Sequence, residues 1–418
     1  MNSRGENDQG NGMPIIAAES GALDRAGLRR VVVFLSLTVT ASYGVLFFAF
    51  PVLLTAIVDD TGWSAPTTVA AFSSSQIVAA VVGIGAGRIL DHHGPRAVMT
   101  AGSLLALPAG LLIALSANYA VFFAGWLIAG FAMAGTFYGP AFVALTRWAG
   151  KRRVQALTQL TLVGAFASTV FAPLTAELNS ILGWRHTLVT LVVMLVLVTA
   201  PVHWLGLRQP WAASARAPIA VNPVSRRRSV ATSRAFILLA ISLSAGAFTV
   251  FAAVINLVPL LVERGFTPRT AALALGLSGV GQVMGRLGYG RLARHTSMTT
   301  RTVIIVASCG LTSALLGVLS GPVFAIIGTA ILLGAARGMF TLIEATAVSD
   351  RWGSGGYGRL NGLISAPVLL STACAPFAGS AIAELIGGQS SAFLVLASVS
   401  LCAAVVAFGT NPSDNRSG

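Results

Sequence analysis

Lysine occurs once in this chain, at Lys151, and the 27 basic residues are set against only 13 acids. Charged residues make up 10% of the sequence, where an ordinary soluble domain carries about a quarter. With 55% hydrophobic residues alongside, that scarcity excludes a conventional water-soluble fold. Cysteine is equally sparse. Cys309, Cys374 and Cys402 lie singly in apolar stretches, so neither a disulfide framework nor a thiolate metal site is indicated. There is no phosphate-cradling glycine loop, no nucleophile constellation and no cluster of metal-ligand type. An enzyme, a bound cofactor and an ATP-driven pump are therefore not expected. The net charge of +14 would suit nucleic acid, but the bases fall in short loops between apolar runs, where they orient a membrane protein instead.

Those runs dominate the chain. They cover roughly 31–58, 67–90, 97–115, 118–147, 154–181 and 186–206, then 235–262, 268–293, 301–319, 322–349, 358–385 and 390–409. A helix needs ~20 apolar residues to cross the hydrocarbon core, so twelve transmembrane helices are predicted, an all-α membrane protein in two six-helix halves, 31–206 and 235–409. Residues 1–30 and 410–418 read as tails, and 207–234, with Pro210, Pro218, Pro223 and Arg226-Arg227-Arg228, as a basic linker. With the N-terminus cytoplasmic, 23 of the 27 bases lie on the cytoplasmic side, Arg185, Arg264 and Arg269 outside, and Arg337 in the membrane. The positive-inside bias selects that orientation, with both termini cytoplasmic. The preference for arginine over lysine fits a GC-rich coding bias, and the expected location is a bacterial plasma membrane.

The halves repeat. Gly62-Trp63-Ser64 corresponds to Gly265-Phe266-Thr267, Gly87-Arg88 to Gly290-Arg291, and Ala172-Pro173 to Ala375-Pro376, each 203 residues apart. Arg147-Trp148 recurs at Arg351-Trp352 with a separation of 204. Parallel six-helix repeats with a solute site between them near the midplane are a transporter architecture.

Between the second and third runs lies Gly87-Arg88-Ile89-Leu90-Asp91-His92-His93-Gly94-Pro95-Arg96. Gly87, Asp91, Gly94 and Arg96 resemble the loop motif G-x-x-x-D-R-x-G-R-R of the major facilitator superfamily, with His92 where a base is usual. The resemblance covers about 31–409 and implies the facilitator fold, with Asp91 and Arg96 acting in a cytoplasmic gate. The second copy has Arg294 where the first has Asp91, so its charge network must differ. Thr61-Gly62-Trp63-Ser64, Arg147-Trp148 through Lys151-Arg152-Arg153, and Gly183-Trp184-Arg185 are similar to the monocarboxylate and oxalate–formate branch. That branch has a carboxylate-binding arginine in helix eight, four residues before a glycine, and Arg286 with Gly290 fits. One turn earlier, where its proton-coupled members have an aspartate, this chain has Gln282. The branch's lysines in helices one and eleven are absent.

An ionisable group at membrane depth costs ~2.5–3.5 kcal/mol on insertion scales, so each requires an explanation. Arg337, midway along the tenth run, is a candidate anion-binding guanidinium; the alternative is an arginine satisfied by carbonyls or an acid. Glu344, two turns on and on the same face, is a counter-ion to Arg286 or Arg337, a carrier of the coupling proton, or a boundary salt bridge. Arg286 binds substrate or snorkels to the surface. Tyr43, Tyr138 and Asn256 are in helices that face the cavity in this superfamily and are candidate hydrogen-bond donors to substrate, or ties between helices. Gln76, Gln159 and Asn361 read as packing, and Pro173 and Pro376 as helix bends. The expectation is a secondary transporter of a small, monocarboxylate-like organic anion, working as a monomer by alternating access with a coupling proton or counter-transported anion. Its only other partner is membrane lipid. Efflux of an amphiphilic drug or metabolite is the alternative, and a membrane sensor signalling through 207–234 a third.

Overall fold

The computed structural model describes residues 23–211, 230–352 and 357–411. Most of the predicted linker, including Pro218, Pro223 and Arg226-Arg227-Arg228, and nearly all of both tails lie outside the described residues. Every regular element among the described residues is helical. In chain order these are α1 (Arg25–Tyr43), α2 (Ala49–Thr61), α3 (Ala65–His93), α4 (Pro95–Ala114), α5 (Tyr119–Thr136), α6 (Tyr138–Trp148) and α7 (Arg153–Gly164). Then come α8 (Ala167–Gly206), α9 (Arg234–Glu263), α10 (Pro268–His295), α11 (Met298–Val318), α12 (Val323–Trp352), α13 (Tyr357–Leu385) and α14 (Gln389–Ala407).

Among the described residues ten helical segments are long and apolar enough to cross a membrane. One of them, Arg153–Gly206, has 54 residues and is folded back at Gly183, whose φ of 72° needs no Cβ to accommodate; it supplies two crossings. Helix α10 has 28 residues, ample length, but is glycine-rich and carries Arg286, Arg291 and Arg294. The ends follow local rules. Ser64 and Thr267, 203 residues apart, each cap the first turn of the next helix, α3 and α10, by accepting from Thr67 N–H at 3.3 Å and Thr270 N–H at 3.2 Å, each with proline in that turn.

Several crossings are not straight. A π-helical turn, Gly44–Phe48, joins α1 to α2. Phe137 is extended, with ψ −166°, and separates α5 from α6. Ala165 and Phe166 interrupt the fifth crossing between α7 and α8. That interruption lies ahead of Pro173, through which the helix continues, and α13 likewise runs through Pro376. The two prolines sit instead at seams between the halves. Thr169 donates to the Gly276 carbonyl at 2.8 Å, and a Cβ on Gly276 would press on Pro173 at 3.2 Å. At the other seam Phe377 N–H, beside Pro376, donates to the Ser73 hydroxyl at 3.1 Å. Ser73 and Gly276 are again 203 residues apart, so the two seams use repeat-related positions.

Apolar packing differs between the two ends of the bundle. At the end away from the termini, one continuous core joins both halves, including Phe50, Phe72 and Trp126 from the first and Leu257, Leu275 and Leu333 from the second. At the terminal end each half keeps its own core, one around Val31, Leu35, Leu145 and Trp148, the other around Phe236, Leu243, Ile305 and Phe340. A gap between the halves therefore opens toward the terminal end.

Candidate functional site

The gap holds a cavity of about 410 Å³. Its walls come mainly from the first half, from Tyr43, Phe47, Gln76, Met133 and Phe137 down to Gly87 and Leu90; the second half adds Phe251, Glu344, Leu369 and Thr372. The backbone interruptions surround it. Where α5 stops at Thr136, Phe137 turns its ring onto Tyr43, stacked at 3.9 Å and 14°, and Tyr138 lies 4.9 Å from the same ring. Tyr138 opens α6 directly after the break, so its N–H has no partner within the helix. Gly164 leaves room for the Tyr138 hydroxyl, since a Cβ there would overlap it. The π-turn has a similar cause: the Phe171 ring occupies the space that any side chain at position 44 would need. π-turns of this kind concentrate at functional sites.

Behind the aromatic wall sits Arg337. It is 7% exposed, its Nε has no hydrogen-bond partner, and no carboxylate among the described residues pairs with it. Its Cζ lies 5.4 Å from the Phe48 ring and 5.3 Å from that of Phe251, which offer only cation–π attraction. Tyr43, Tyr138 and Arg286 are its electrostatic neighbours. Arg286 reaches across from the second half, hydrogen-bonding the Thr161 carbonyl of the first, with the Tyr138 side chain an electrostatic neighbour. It belongs to the α7–α10 part of the seam, which Arg269 and Glu177 continue toward the far end with an ion pair at 2.8 Å.

The other predicted residues separate from this group. Glu344 lines the cavity without an ion pair to Arg286 or Arg337. Asn256 is buried between α9 and α13, donates to the Ala252 carbonyl at 2.9 Å and crowds Gly379. Gln282 is buried where α10 meets α12, its backbone oxygen against Gly338. Within the hairpin motif Gly87 borders the cavity, while Gly94, at φ 77°, makes the turn between α3 and α4. Arg96 is fastened to α8, its Cζ 3.8 Å over the Trp204 ring and its Nε donating to the Trp204 carbonyl at 2.8 Å. Asp91 is in α3, and its side chain lies outside the described residues.

Two features escaped the sequence reading. Gln76 lines the cavity, with its amide donating to Met133 Sδ at 3.3 Å. And α10 crosses α12 on four glycines: a Cβ on Gly281, Gly285, Gly334 or Gly338 would overlap a backbone carbonyl of the facing helix. The paired G-x-x-x-G spacings were the available signal, since small residues let membrane helices approach this closely. That contact fixes the height and rotation of Arg337.

A sequence model described as Major Facilitator Superfamily matches residues 32–331. Human monocarboxylate transporter 11 is 27% identical over 367 residues, covering 84% of this chain and 74% of that protein. The solved nucleoside transporter NupG superposes with a TM-score of 0.72 at 16% identity, over 92% of this chain and 99% of the other. A bacterial homologue of the human lysosomal transporter Spinster, in an inward-facing and unoccupied conformation, also gives 0.72, at 14% identity over 92% and 97%.

Proposed function

The chain belongs to the major facilitator superfamily, as a multi-pass membrane transporter rather than an enzyme, and we propose on that premise that its solute is a small organic anion with an apolar body. One observation carries the reading: Arg337, buried among aromatic rings with no counter-charge among the described residues. An uncompensated buried guanidinium is strongly unfavourable, and a carboxylate entering past Tyr43 relieves it through a bidentate pair. Tyr43 and Tyr138 are placed to add hydrogen bonds, while Phe137, Phe251 and Leu369 receive the apolar part. Arg286 holds the seam while the cavity is empty and exchanges its bond to Thr161 as the halves rock. Glu344, a cavity carboxylate without a partner, is the group we assign to a coupling proton; a counter-transported anion is the other means of coupling. The basic terminal end faces the cytoplasm of a bacterial plasma membrane, the gap is the inward-open state, and the working unit is a monomer.

The test is ligand-induced thermal stabilisation of purified wild type and Arg337→Gln against monocarboxylates, dicarboxylates, inorganic oxyanions and lipophilic cations. A solute at 100 times its dissociation constant adds ~2.7 kcal/mol. Stabilisation by one carboxylate class, absent in the variant, is the expected result. The apolar cavity wall favours a second reading, efflux of an amphiphile; stabilisation by lipophilic cations alone, indifferent to Arg337, would replace the first reading with it.

A further inference from the structure

A second site lies on the outer surface of the first half, away from the solute cavity. Between α1 and α7 runs a groove of about 650 Å³. Its terminal end is lined by Arg25, Arg29 and Arg152. Asp24, beside Arg25 in the chain, is occupied in capping α1, accepting from Gly27 N–H at 2.8 Å. Arg152 is held in place by donating to the Leu23 carbonyl at 3.2 Å, and no ion pair among the described residues neutralises any of the three. Further along, the floor is Leu28, Val32 and Leu37 of α1, with Val33 55% and Leu37 50% exposed. Gln155 and Gln159 line the α7 side at helical spacing. Both amides are exposed on a crossing helix, a position where an isolated polar group in hydrocarbon is costly. From Arg25 to Leu37 the groove follows α1 for ~18 Å at 1.5 Å per residue.

The repeat places a related groove in the second half. The corresponding groove in the second half, between α9 and α13, is lined by residues such as Phe236, Ile237, Ile241, Leu363 and Pro367, with no charged residue among the described residues. We propose that the α1–α7 groove binds an anionic phospholipid of the leaflet at the terminal end. Its phosphodiester lies among Arg25, Arg29 and Arg152, its ester region contacts Gln155 and Gln159, and one acyl chain runs along Val32, Val33 and Leu37. A basic pocket between membrane helices is the expected receptor for such a headgroup.

The experiment measures binding and thermal stabilisation of the purified full chain by phosphatidylglycerol, phosphatidylcholine, glycerol phosphate and inorganic phosphate. The variants are Arg25→Gln/Arg29→Gln/Arg152→Gln and a charge-matched control, Arg234→Gln/Arg291→Gln/Arg294→Gln. Phosphatidylglycerol should stabilise wild type and the control alike, and phosphatidylcholine should not. The groove variant should lose about a hundredfold in affinity for phosphatidylglycerol, from the attraction each arginine contributes at a membrane surface. Val33→Trp, which keeps every arginine and obstructs the trough, should lose the same stabilisation, and it carries the test if the triple variant does not purify. Equal loss in the control would reduce the effect to diffuse charge. Equal stabilisation by phosphatidylcholine, or full stabilisation by inorganic phosphate, would overturn the lipid assignment.

Discussion

The two halves begin the same helix crossing and finish it differently. In the first, a Cβ on Gly130 of α5 would meet the Ser75 carbonyl of α3 at 2.6 Å; in the second, Gly334 of α12 stands in the same relation to Ser278 of α10. One turn on, the positions in the first half are Ala79 and Ala134, both on the cavity wall. Those in the second are Gln282 and Gly338, with backbones in contact. Past that point α5 breaks, whereas α12 continues unbroken to Trp352. The difference decides where the cavity lies. Alanine side chains and a broken helix part the first crossing and make room, while glycines close the second and hold Arg337 beside the space.

Valine at Gly338 or Gly285 should have the largest effect, because the added atoms meet backbone that cannot move aside. Overpacking of this kind costs ~1–3 kcal/mol or more, and the expected outcome is loss of monodisperse protein on size-exclusion chromatography. A normal elution profile would show the second crossing to be looser than described. Next comes Ala134→Leu, which should fold normally yet reduce uptake into proteoliposomes at least about tenfold, a binding loss of ~1.4 kcal/mol. Full transport by that variant would remove the cavity from the solute path.

A third test asks whether the halves are equivalent away from the crossing. Arg185 donates to the carbonyls of Ala114 at 2.8 Å and Ser116 at 3.1 Å. Arg264 donates to those of Gly317, at 2.7 Å, and Leu319, 203 residues further on. The same unpaired carbonyls at a helix end are met by arginines from unrelated positions. Arg185→Gln and Arg264→Gln should each cost ~1.5–3 kcal/mol in thermal unfolding, and add when combined because the sites are distant. Strong non-additivity would mean that the two ends are coupled. A further effect is expected at Gly94→Ala, where φ 77° with ψ 174° costs a Cβ-bearing residue ~1–3 kcal/mol; a lower melting temperature with transport retained is the outcome to look for.

The crossings were legible because hydropathy reports burial in lipid directly, and the 203-residue repeat because Gly62, Gly87 and Pro173 each keep a partner. The interruptions at Gly44–Phe48, Phe137 and Ala165 were not, since changing the hydrogen-bond register of a helix leaves its apolar content unaltered. Partners across the seam were hidden for another reason. Arg286 bonds a backbone carbonyl, at Thr161, which no side-chain pattern advertises. Arg147-Trp148 and Arg351-Trp352 show how a repeat can mislead. Trp148 is buried and Arg147 half-exposed, yet Arg351 is buried and Trp352 half-exposed. The burial register of the two helices is offset by 203, the dipeptide by 204, so Trp148 corresponds in space to Arg351. There Arg351 is satisfied by Thr302 at 2.8 Å and by the Thr410 hydroxyl at 3.0 Å.

The single apolar core at the far end also sets a thermodynamic bias. Opening that end requires parting Phe47 from Phe251, whose rings meet across the halves at 6.5 Å, and wetting the surfaces around them. Inverting a 99:1 preference between two states takes ~5.5 kcal/mol of differential free energy. At ~25 cal/mol per Å² that corresponds to about 220 Å² of apolar surface, the area one large aromatic side chain buries. Phe47, which also packs on Phe48 and Phe72 of its own half, contributes a part of that area to the preference for the side the empty protein faces at rest. Truncating it should shift that resting population, and through it the apparent affinity measured from each side.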